Sequence, residues 1–489
     1  MPSPRSTRPV ACLDFISFAG FVIACFAAPL AYGGTRPLAF SLLVGLCGFS
    51  TCFWFGSLAL RRGRAELPAP VLIGAGLVLA VAAWHLWAGP AETMPPFTAR
   101  HWARIVDRWP AAVTVNDPIR LISWAIVAVL SLLALVDLLR RRPGLRLLLA
   151  TAIVGAGVLT ALFGLLQNFT HAPGIYWERD VKQPGNFFGP FYHHTSAGAY
   201  LNVVLPIAVG LAWRSARRGH RFALILAGIA ALLILIAHAG HVSRLPQLLG
   251  LIGVAAMLLV LVPWRRLKDS PHRWTIVGTT ALLAVLLGTA VAATGKVDTI
   301  KARWATVDWR GFWPTGSPLP PPPFETWPSL VRDDLFIAWD HRGYVMGDRG
   351  ALWSTALQAA PRHPWIGYGP GGWMTASAIT STDPFSRTFF QHLQFTHQDA
   401  LQTLVEWGLI GTAGWALLIL WPAARQLKNL WAHPDRRSAL TLGVLVALGA
   451  VLAQGLIDFP AQIPALQFAL ITLAALLWSG PRVSRRNSV

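Results

Sequence analysis

The chain has 489 residues, of which 54% are hydrophobic and 13% are charged, about half the charged fraction of an ordinary soluble domain. This composition excludes a soluble globular protein. It indicates a polytopic membrane protein, because many apolar runs approach the ~20 residues that cross a bilayer as a helix. The net charge of +20 would suit a nucleic-acid-binding protein, but the basic residues cluster between apolar runs. We therefore interpret the charge as a topology signal and expect no nucleic-acid partner.

The apolar runs predict an all-α fold with about twelve transmembrane helices. Lys and Arg cluster in every second connection, as in "RRGR" at 61–64 and "RSARRGHR" at 214–221, so the positive-inside rule places these connections and both termini in the cytoplasm. The first span lacks an A-x-A-like cleavage site, and we expect it to be retained. The predicted spans are 13–33, 37–60, 69–89, 119–139, 145–167, 196–213, 222–240, 245–264, 274–294, 399–422, 438–457 and 460–479.

The predicted organisation is nine spans in 1–294, one large external loop over 295–398 and three spans in 399–489. The loop is too long to be a simple link, and its acidic and basic residues nearly balance. It contains "HPWIGYGPGGW" at 363–373. Gly and Pro at this density predict a tight backbone turn that can approach a ligand closely.

Three basic residues are predicted at the outer boundary of the membrane. Arg244 begins the eighth span, Arg349 lies in the large loop within "GDRGALWSTALQ", and His397 directly precedes the tenth span. Each also has a purely structural interpretation: an Arg that snorkels to the interface, an Arg in a surface salt bridge, and an interfacial His that forms a hydrogen bond.

The tenth span begins with an unusual polar stripe. Asp399, Gln402 and Glu406 fall on one face of a helix with 3.6 residues per turn, although polar groups inside a bilayer are costly unless they have partners or face a cavity. We expect the stripe to face the bundle. An internal polar network that joins helices is the alternative to a role at a site.

Two arginines and a histidine at this boundary suit an anionic, lipid-linked substrate. A guanidinium binds diphosphate bidentately and stays charged, so it can stabilise a lipid diphosphate as it leaves. A neutral histidine can accept the proton of an attacking hydroxyl. The sequence has neither D-x-D nor a His/Cys cluster with ligand spacing, so no metal is implied.

Several of these motifs resemble the O-antigen ligase and polymerase superfamily of integral-membrane glycosyltransferases. The similarity is carried by "HPWIGYGPGGW", by "THQDALQTLVEWGLIG" at 396–411, by Arg349 with Trp353, by "SR" at 243–244 and by "GNFFGPFYHHTSAGAYLNVVLP" at 185–206. It extends over about 185–455. His194 and Gln398 stand where the family commonly has Asn, and Leu245 stands where Gly is expected.

The resemblance implies a metal-independent, inverting glycosyltransferase of the GT-C type, without a cofactor, in a bacterial inner membrane. Its donor would be a glycan on undecaprenyl diphosphate, and a glycolipid or glycan would accept the sugar at the periplasmic face. Arg244, Arg349 and His397 would be catalytic, His194 and Tyr368 would contact substrate, and Asp399, Gln402 and Glu406 would brace the helix behind them. O-antigen ligase, polysaccharide polymerase and protein O-oligosaccharyltransferase all remain open, and a transporter or flippase is the alternative from another class.

Overall fold

The structure is a computed structural model that describes residues 7–62, 65–88, 118–178, 187–241, 243–262, 347–380, 395–432 and 438–480. These residues form thirteen α-helices and a single short antiparallel bridge between Phe188 and Phe191. The helices are α1 (Thr7–Leu30), α2 (Pro37–Leu60), α3 (Ala69–Ala88), α4 (Pro118–Arg141), α5 (Leu145–Phe169), α6 (His194–Arg217), α7 (Arg221–Gly240), α8 (Arg244–Leu261), α9 (Gly347–Ala359), α10 (Trp373–Thr380), α11 (Asp399–Ala432), α12 (Ala439–Gln454) and α13 (Pro464–Trp478).

The all-α polytopic membrane fold that the sequence predicts is confirmed. Within the described residues, nine helices are long and apolar enough to cross a bilayer, namely α1 to α8 and α11, and the apolar helices α12 and α13 are shorter. Each corresponds to a predicted span. The predicted ninth span, 274–294, lies outside the described residues. The large loop contributes two further helices, α9 and α10, which precede and follow the turn at 363–373.

The centre of the bundle is formed by α4, α6 and α13. α13 packs against α1, α4, α6, α11 and α12, and its large side chains Phe468 and Trp478 are fully buried. The Trp478 indole donates a hydrogen bond to the Leu418 carbonyl oxygen of α11 at 2.9 Å, as a buried Trp requires. In contrast, α7 and α8 expose large apolar side chains such as Phe222, Ile225 and Leu259, as helices in contact with lipid do.

One end of the bundle carries a network of buried ion pairs. Asp14 of α1 accepts hydrogen bonds from Ser57 of α2 and from Arg141 of α4. Asp137 pairs with Arg61 at 2.9 Å and with Arg141 at 3.1 Å. The basic clusters after α2 and α4 therefore lie at one end, which agrees with the predicted alternation of loops. The assignment of this end to the cytoplasm stays a prediction.

The opposite end is tied together by an aromatic and ionic cluster. Arg36, directly before α2, pairs with Glu178 at 2.5 Å and donates from Nε to the Tyr192 hydroxyl at 2.7 Å. The Tyr32 hydroxyl donates to the same carboxylate, and the hydrogen bond from Arg36 lowers the pKa of Glu178 below its usual value. The cluster anchors the connection between α5 and α6 just before His193 and His194, which begin the candidate site.

Candidate functional site

The turn at 363–373 is paired with a break in α11. Gly408 has φ 60° and ψ −170°, so the helix is interrupted there and its neighbouring peptide groups lose their helical partners. The turn supplies new ones: the amides of Tyr368 and Gly369 donate to the carbonyls of Val405 and Glu406, both at 2.9 Å. The amides of Leu409 and Ile410 donate to the carbonyls of Pro364 and Trp365 at 2.7 and 3.0 Å. The two motifs that carry the family resemblance thus form one structural unit.

Two glycines make this pairing possible. A Cβ atom on Gly408 would lie 2.4 Å from the Ile366 backbone nitrogen, and one on Gly367 would lie 2.4 Å from the Glu406 carbonyl oxygen. Both residues also have positive φ angles, 60° and 70°, which favour glycine. His85 of α3 completes the unit by a contact of 2.9 Å between its Nε2 and the Ile366 carbonyl.

Glu406 and Gln402 connect α11 to the end of this turn. Both side chains are buried, and the Gln402 amide donates to the Glu406 carboxylate at 3.0 Å. The backbone amides of Gly371 and Trp373 also donate to this carboxylate. Gln402 Oε1 in turn accepts from the Thr396 amide at 3.1 Å, so the pair holds both the end of the turn and the residues directly before α11.

Asp399 has different hydrogen-bond partners from Gln402 and Glu406, the other two residues of the predicted stripe. Its carboxylate accepts from the Ala461 amide at 2.9 Å and from the Gln462 side chain at 3.1 Å, which joins the start of α11 to the connection between α12 and α13. Gln398 caps α11, because its Oε1 accepts from the Leu401 amide at 2.7 Å, the bond that an N-cap side chain makes. Gln398 therefore acts as the N-cap of α11.

His397 lies between these two anchors, outside the helix. Its φ is +54°, a left-handed conformation that is uncommon for residues other than glycine and that concentrates at functional sites. Its Nδ1 lies 3.7 Å from Oδ1 of Asp458, a distance too long for a hydrogen bond. Nδ1 is buried and has no hydrogen-bond partner among the described residues. The ring packs edge-on against Phe459.

Asp458 interacts with two of the predicted site residues, His397 and Arg349. It is held by the Gln454 amide, which donates to Oδ2 at 3.2 Å and also to the Thr195 carbonyl at 3.1 Å. Burial alone would raise the pKa of Asp458, but contact with His397 and the positive charge of Arg349 bring it below its usual value. The carboxylate is therefore ionised, and Arg349 and His397 both act on it.

The start of α6 adds two histidines. The ring of His193 contacts Phe459, and its charge interacts with Asp458 and His397; burial lowers its pKa below the usual value. His194, the first residue of α6, is partly buried and its charge interacts with His241, directly before α8. His193 is thus the member of the pair that faces His397 and Asp458.

Arg244 begins α8 and is exposed. The segment around it packs on the start of α6, because a Cβ atom on Gly198 would lie 2.6 Å from Pro246 and 2.8 Å from His241. The start of α6 therefore lies between the segment that bears Arg244 and the group formed by Arg349, His397 and Asp458. Its action on that group stays a prediction.

Tyr368 packs inside the turn. It is 4% exposed, its ring lies 4.5 Å from the His363 ring, and it belongs to a small core with Leu352, Trp373 and Val405. Its predicted contact with substrate stays a prediction.

Sequence reasoning missed Asp458 and His193. Asp458 is an isolated acid in the short connection after α12, and His193 adjoins the predicted His194, so neither has a spacing that marks a site. A weak signal was present for Asp458, since acids are few in this chain and this one lies between two apolar runs on the side predicted to be external.

This arrangement offers one positively charged side chain and one group that can accept a proton. Arg349 supplies a fixed positive charge, and His397 has one ring nitrogen directed at an ionised carboxylate, the geometry that supports general-base catalysis. The described residues contain no group of three His, Cys, Asp or Glu side chains spaced to hold a metal ion. The chemistry that these side chains suit is displacement at a centre with an anionic leaving group.

Residues 229–416 match the family model described as O-antigen ligase. No curated protein matches the chain. The matched segment includes Arg244, Arg349 and His397, together with the turn at 363–373 and the break in α11. Asp458, His193 and His194 lie outside it. Residues 229–416 of this multi-pass membrane protein are therefore similar to the O-antigen ligase family, as the motifs in the sequence indicated.

Proposed function

We propose that the protein transfers a glycan from undecaprenyl diphosphate to an acceptor hydroxyl at the periplasmic face of a bacterial inner membrane. The family supports a membrane enzyme of the glycosyltransferase type. The observation that carries the finer proposal is the approach of His397 to Asp458 at 3.7 Å, with the positive charge of Arg349 acting on the same carboxylate. Arg349 lies in the large loop, His397 directly before α11 and Asp458 in the connection before α13.

In this reaction the acceptor oxygen attacks the anomeric carbon of the donor sugar from the side opposite the diphosphate. The new C–O bond forms as the bond between the anomeric carbon and the phosphate oxygen breaks, so the configuration inverts. The hydroxyl proton passes to His397, and the ionised Asp458 stabilises the imidazolium that results. The bonding electrons leave with undecaprenyl diphosphate.

The arginines balance the charge on the leaving group. Arg349 and Arg244 bind the diphosphate oxygens through planar, permanently charged guanidinium groups. Such fixed donors stabilise charge that develops in the transition state without reorganisation of the site. This role is the one that a divalent ion performs in other glycosyltransferases, and on this proposal the enzyme needs none.

Purified protein in liposomes, supplied with a lipid-linked glycan and an acceptor, tests the reaction directly. Transfer should continue in the presence of a chelator. Activity lost in EDTA and restored by magnesium or manganese would overturn the arginine mechanism. Glycan profiling of a deletion strain, comparing free, lipid-linked and surface-attached polymer, then separates ligase, polymerase and protein O-oligosaccharyltransferase.

One structural feature favours a transporter or flippase as the second candidate: α11 is interrupted, as helices at transport sites often are. The peptide groups released at Gly408, however, are paired with the turn at 363–373 and cannot serve a transported ion. Among the described α-helices that could cross the membrane, α11 is also the only one with a non-helical residue inside, whereas inverted repeats supply such helices in pairs. Lipid-linked glycan that accumulates in the cytoplasmic leaflet of the deletion strain would favour this alternative.

A further inference from the structure

A chain of hydrogen bonds runs from Ser243 through His241 and His238 to Pro246, at the connection between α7 and α8. His241 Nε2 lies 3.1 Å from His238 Nδ1, and His238 Nε2 lies 2.7 Å from the Pro246 carbonyl oxygen. The Ser243 amide lies 3.2 Å from His241 Nδ1. The two histidines are only 2% and 1% exposed, so water does not compete for these bonds.

The partners at the two ends of this chain of hydrogen bonds determine the tautomers of both histidines. The Ser243 amide can only donate, so His241 Nδ1 is an acceptor and its proton resides on Nε2. The Pro246 carbonyl can only accept, so His238 carries its proton on Nε2 and accepts through Nδ1. Every bond then has one donor and one acceptor, provided that both rings are neutral.

The surroundings favour the neutral state of His241. Burial, with the nearby His238 and His194 rings, holds the pKa of His241 well below its usual value. The groups that face the ring are His238 on α7 and His194 on α6, with Phe188 from the segment before α6 at a ring distance of 5.9 Å. None of these supplies the negative charge that an imidazolium would need.

Close packing holds the turn that bears Arg244 against α6. The Asn202 side chain of α6 donates to the Pro246 carbonyl at 3.0 Å, the same oxygen that accepts from His238. A Cβ atom on Gly250 would lie 2.4 Å from His238 Nε2, so glycine at this position is what lets the imidazole reach Pro246. The Gln247 amide donates to the Ala239 carbonyl at 3.2 Å, which further joins the two helices.

We propose that His238 and His241 are positioning residues, which fix the first turn of α8 and thereby direct Arg244 toward the diphosphate of the donor. The inference rests on the proposed function, because it assigns the pair to Arg244. Neither histidine touches substrate in this account. Their effect is on geometry, since a displacement of about 1 Å at a reacting group can cost on the order of a hundredfold in rate.

The test compares variants that remove these hydrogen bonds with variants that keep some of them. His238→Leu and His241→Leu remove the bonds and should lower transfer per inserted molecule by about ten- to a hundredfold. His238→Gln keeps a donor for the Pro246 carbonyl, and His241→Asn keeps an acceptor for the Ser243 amide, so both should recover much of the activity. His220→Leu, at the exposed opposite end of α7, is the matched control and should stay near normal.

A double-variant cycle with Arg244→Lys shows whether the pair acts through Arg244. If it does, His238→Leu should cost less than about twofold when Arg244 is already Lys, because coupled residues are not additive. Equal losses in both backgrounds, or normal activity of His238→Leu beside an impaired Arg244→Lys, would overturn the inference and leave the proposed function intact. Near-normal activity of Arg244→Lys would instead contradict the arginine's role in the proposed function.

Discussion

The two ends of the bundle differ in how closely their carboxylates pair with basic side chains. α13 joins these ends, since Pro464 begins it beside the Asp399 contacts and the Trp478 carbonyl at its far end accepts from Arg140. At the far end, Asp137 accepts from the Trp54 indole at 2.8 Å, from the Glu66 amide at 2.7 Å and from Arg61 at 2.9 Å. At the near end, His397 and Asp458 face each other at 3.7 Å.

The difference separates a structural network from a site. Buried polar groups in folded proteins are normally satisfied, and the far end follows this rule at both Asp14 and Asp137. His397 departs from this rule, since its buried Nδ1 lacks a hydrogen-bond partner among the described residues. Its φ is also positive. Groups held under such constraint are candidates for chemistry, and the site variants below test that interpretation.

His397→Ala should produce the largest loss of transfer. Removal of a general base typically costs on the order of a hundred- to ten-thousandfold, and the protein should still fold and insert because the ring is partly exposed. The measurement is transfer in liposomes, normalised to inserted protein. A residual rate above about a tenth of normal would show that His397 is not the base.

Arg349→Lys and Arg244→Lys come next. Lysine keeps the charge but loses the planar fork that binds two diphosphate oxygens, so each should lower transfer by about a hundredfold, the usual cost of losing one such donor. A snorkelling or surface arginine would tolerate lysine. Arg218→Lys, on an exposed residue just after α6, is the control, and site variants as active as this control would leave the assignment without support.

Asp458→Asn should have a smaller effect, about tenfold. Asparagine keeps the shape and can still accept from Gln454, but it removes the charge beside His397, which is worth a few kcal/mol at most at this separation. The lowered pKa of Asp458 means that its stabilising charge is present above the usual value of 3.8 and is lost only as the pH falls below that value. The loss in Asp458→Asn should therefore be the same at about pH 6 and pH 8; a loss confined to one of them would contradict this account.

The sequence predicted the helices well because length and hydropathy determine which segments cross a membrane. The predicted spans 69–89 and 37–60 correspond to the helices Ala69–Ala88 and Pro37–Leu60. α11 was harder: the predicted 399–422 extends to Ala432 and is interrupted at Gly408. Hydropathy reports where lipid ends and not where a helix ends, and it carries no information on a single glycine with an unusual φ.

The candidate site was predictable only where motifs were available. Arg349 and His397 were singled out by their position at the predicted outer boundary, the resemblance implied their catalytic roles, and these roles stay predictions. Their shared influence on Asp458 could not be foreseen, because it links three segments far apart in the chain and depends on how α11, α12 and α13 pack. The pairing of Tyr368 with Val405 has the same origin: local sequence predicted a turn, whereas its partner was set by the break at Gly408.

Asp137→Asn completes the comparison, because it should damage the structure and spare the chemistry. The side chain is fully buried, and Arg61 and Arg141 depend on its charge. Removal of one partner from a buried ion pair costs about 3 kcal/mol or more, so the variant should insert in lower yield and lose its fold at a lower temperature in detergent. Transfer per folded molecule should stay near normal, since no substrate contact is altered. Glu66→Gln, on an exposed neighbour whose backbone alone contributes to the network, controls for loss of a nearby acid. A normal melting temperature combined with impaired transfer would mean that the far end also takes part in the reaction, and the division between a structural end and a chemical end would no longer hold.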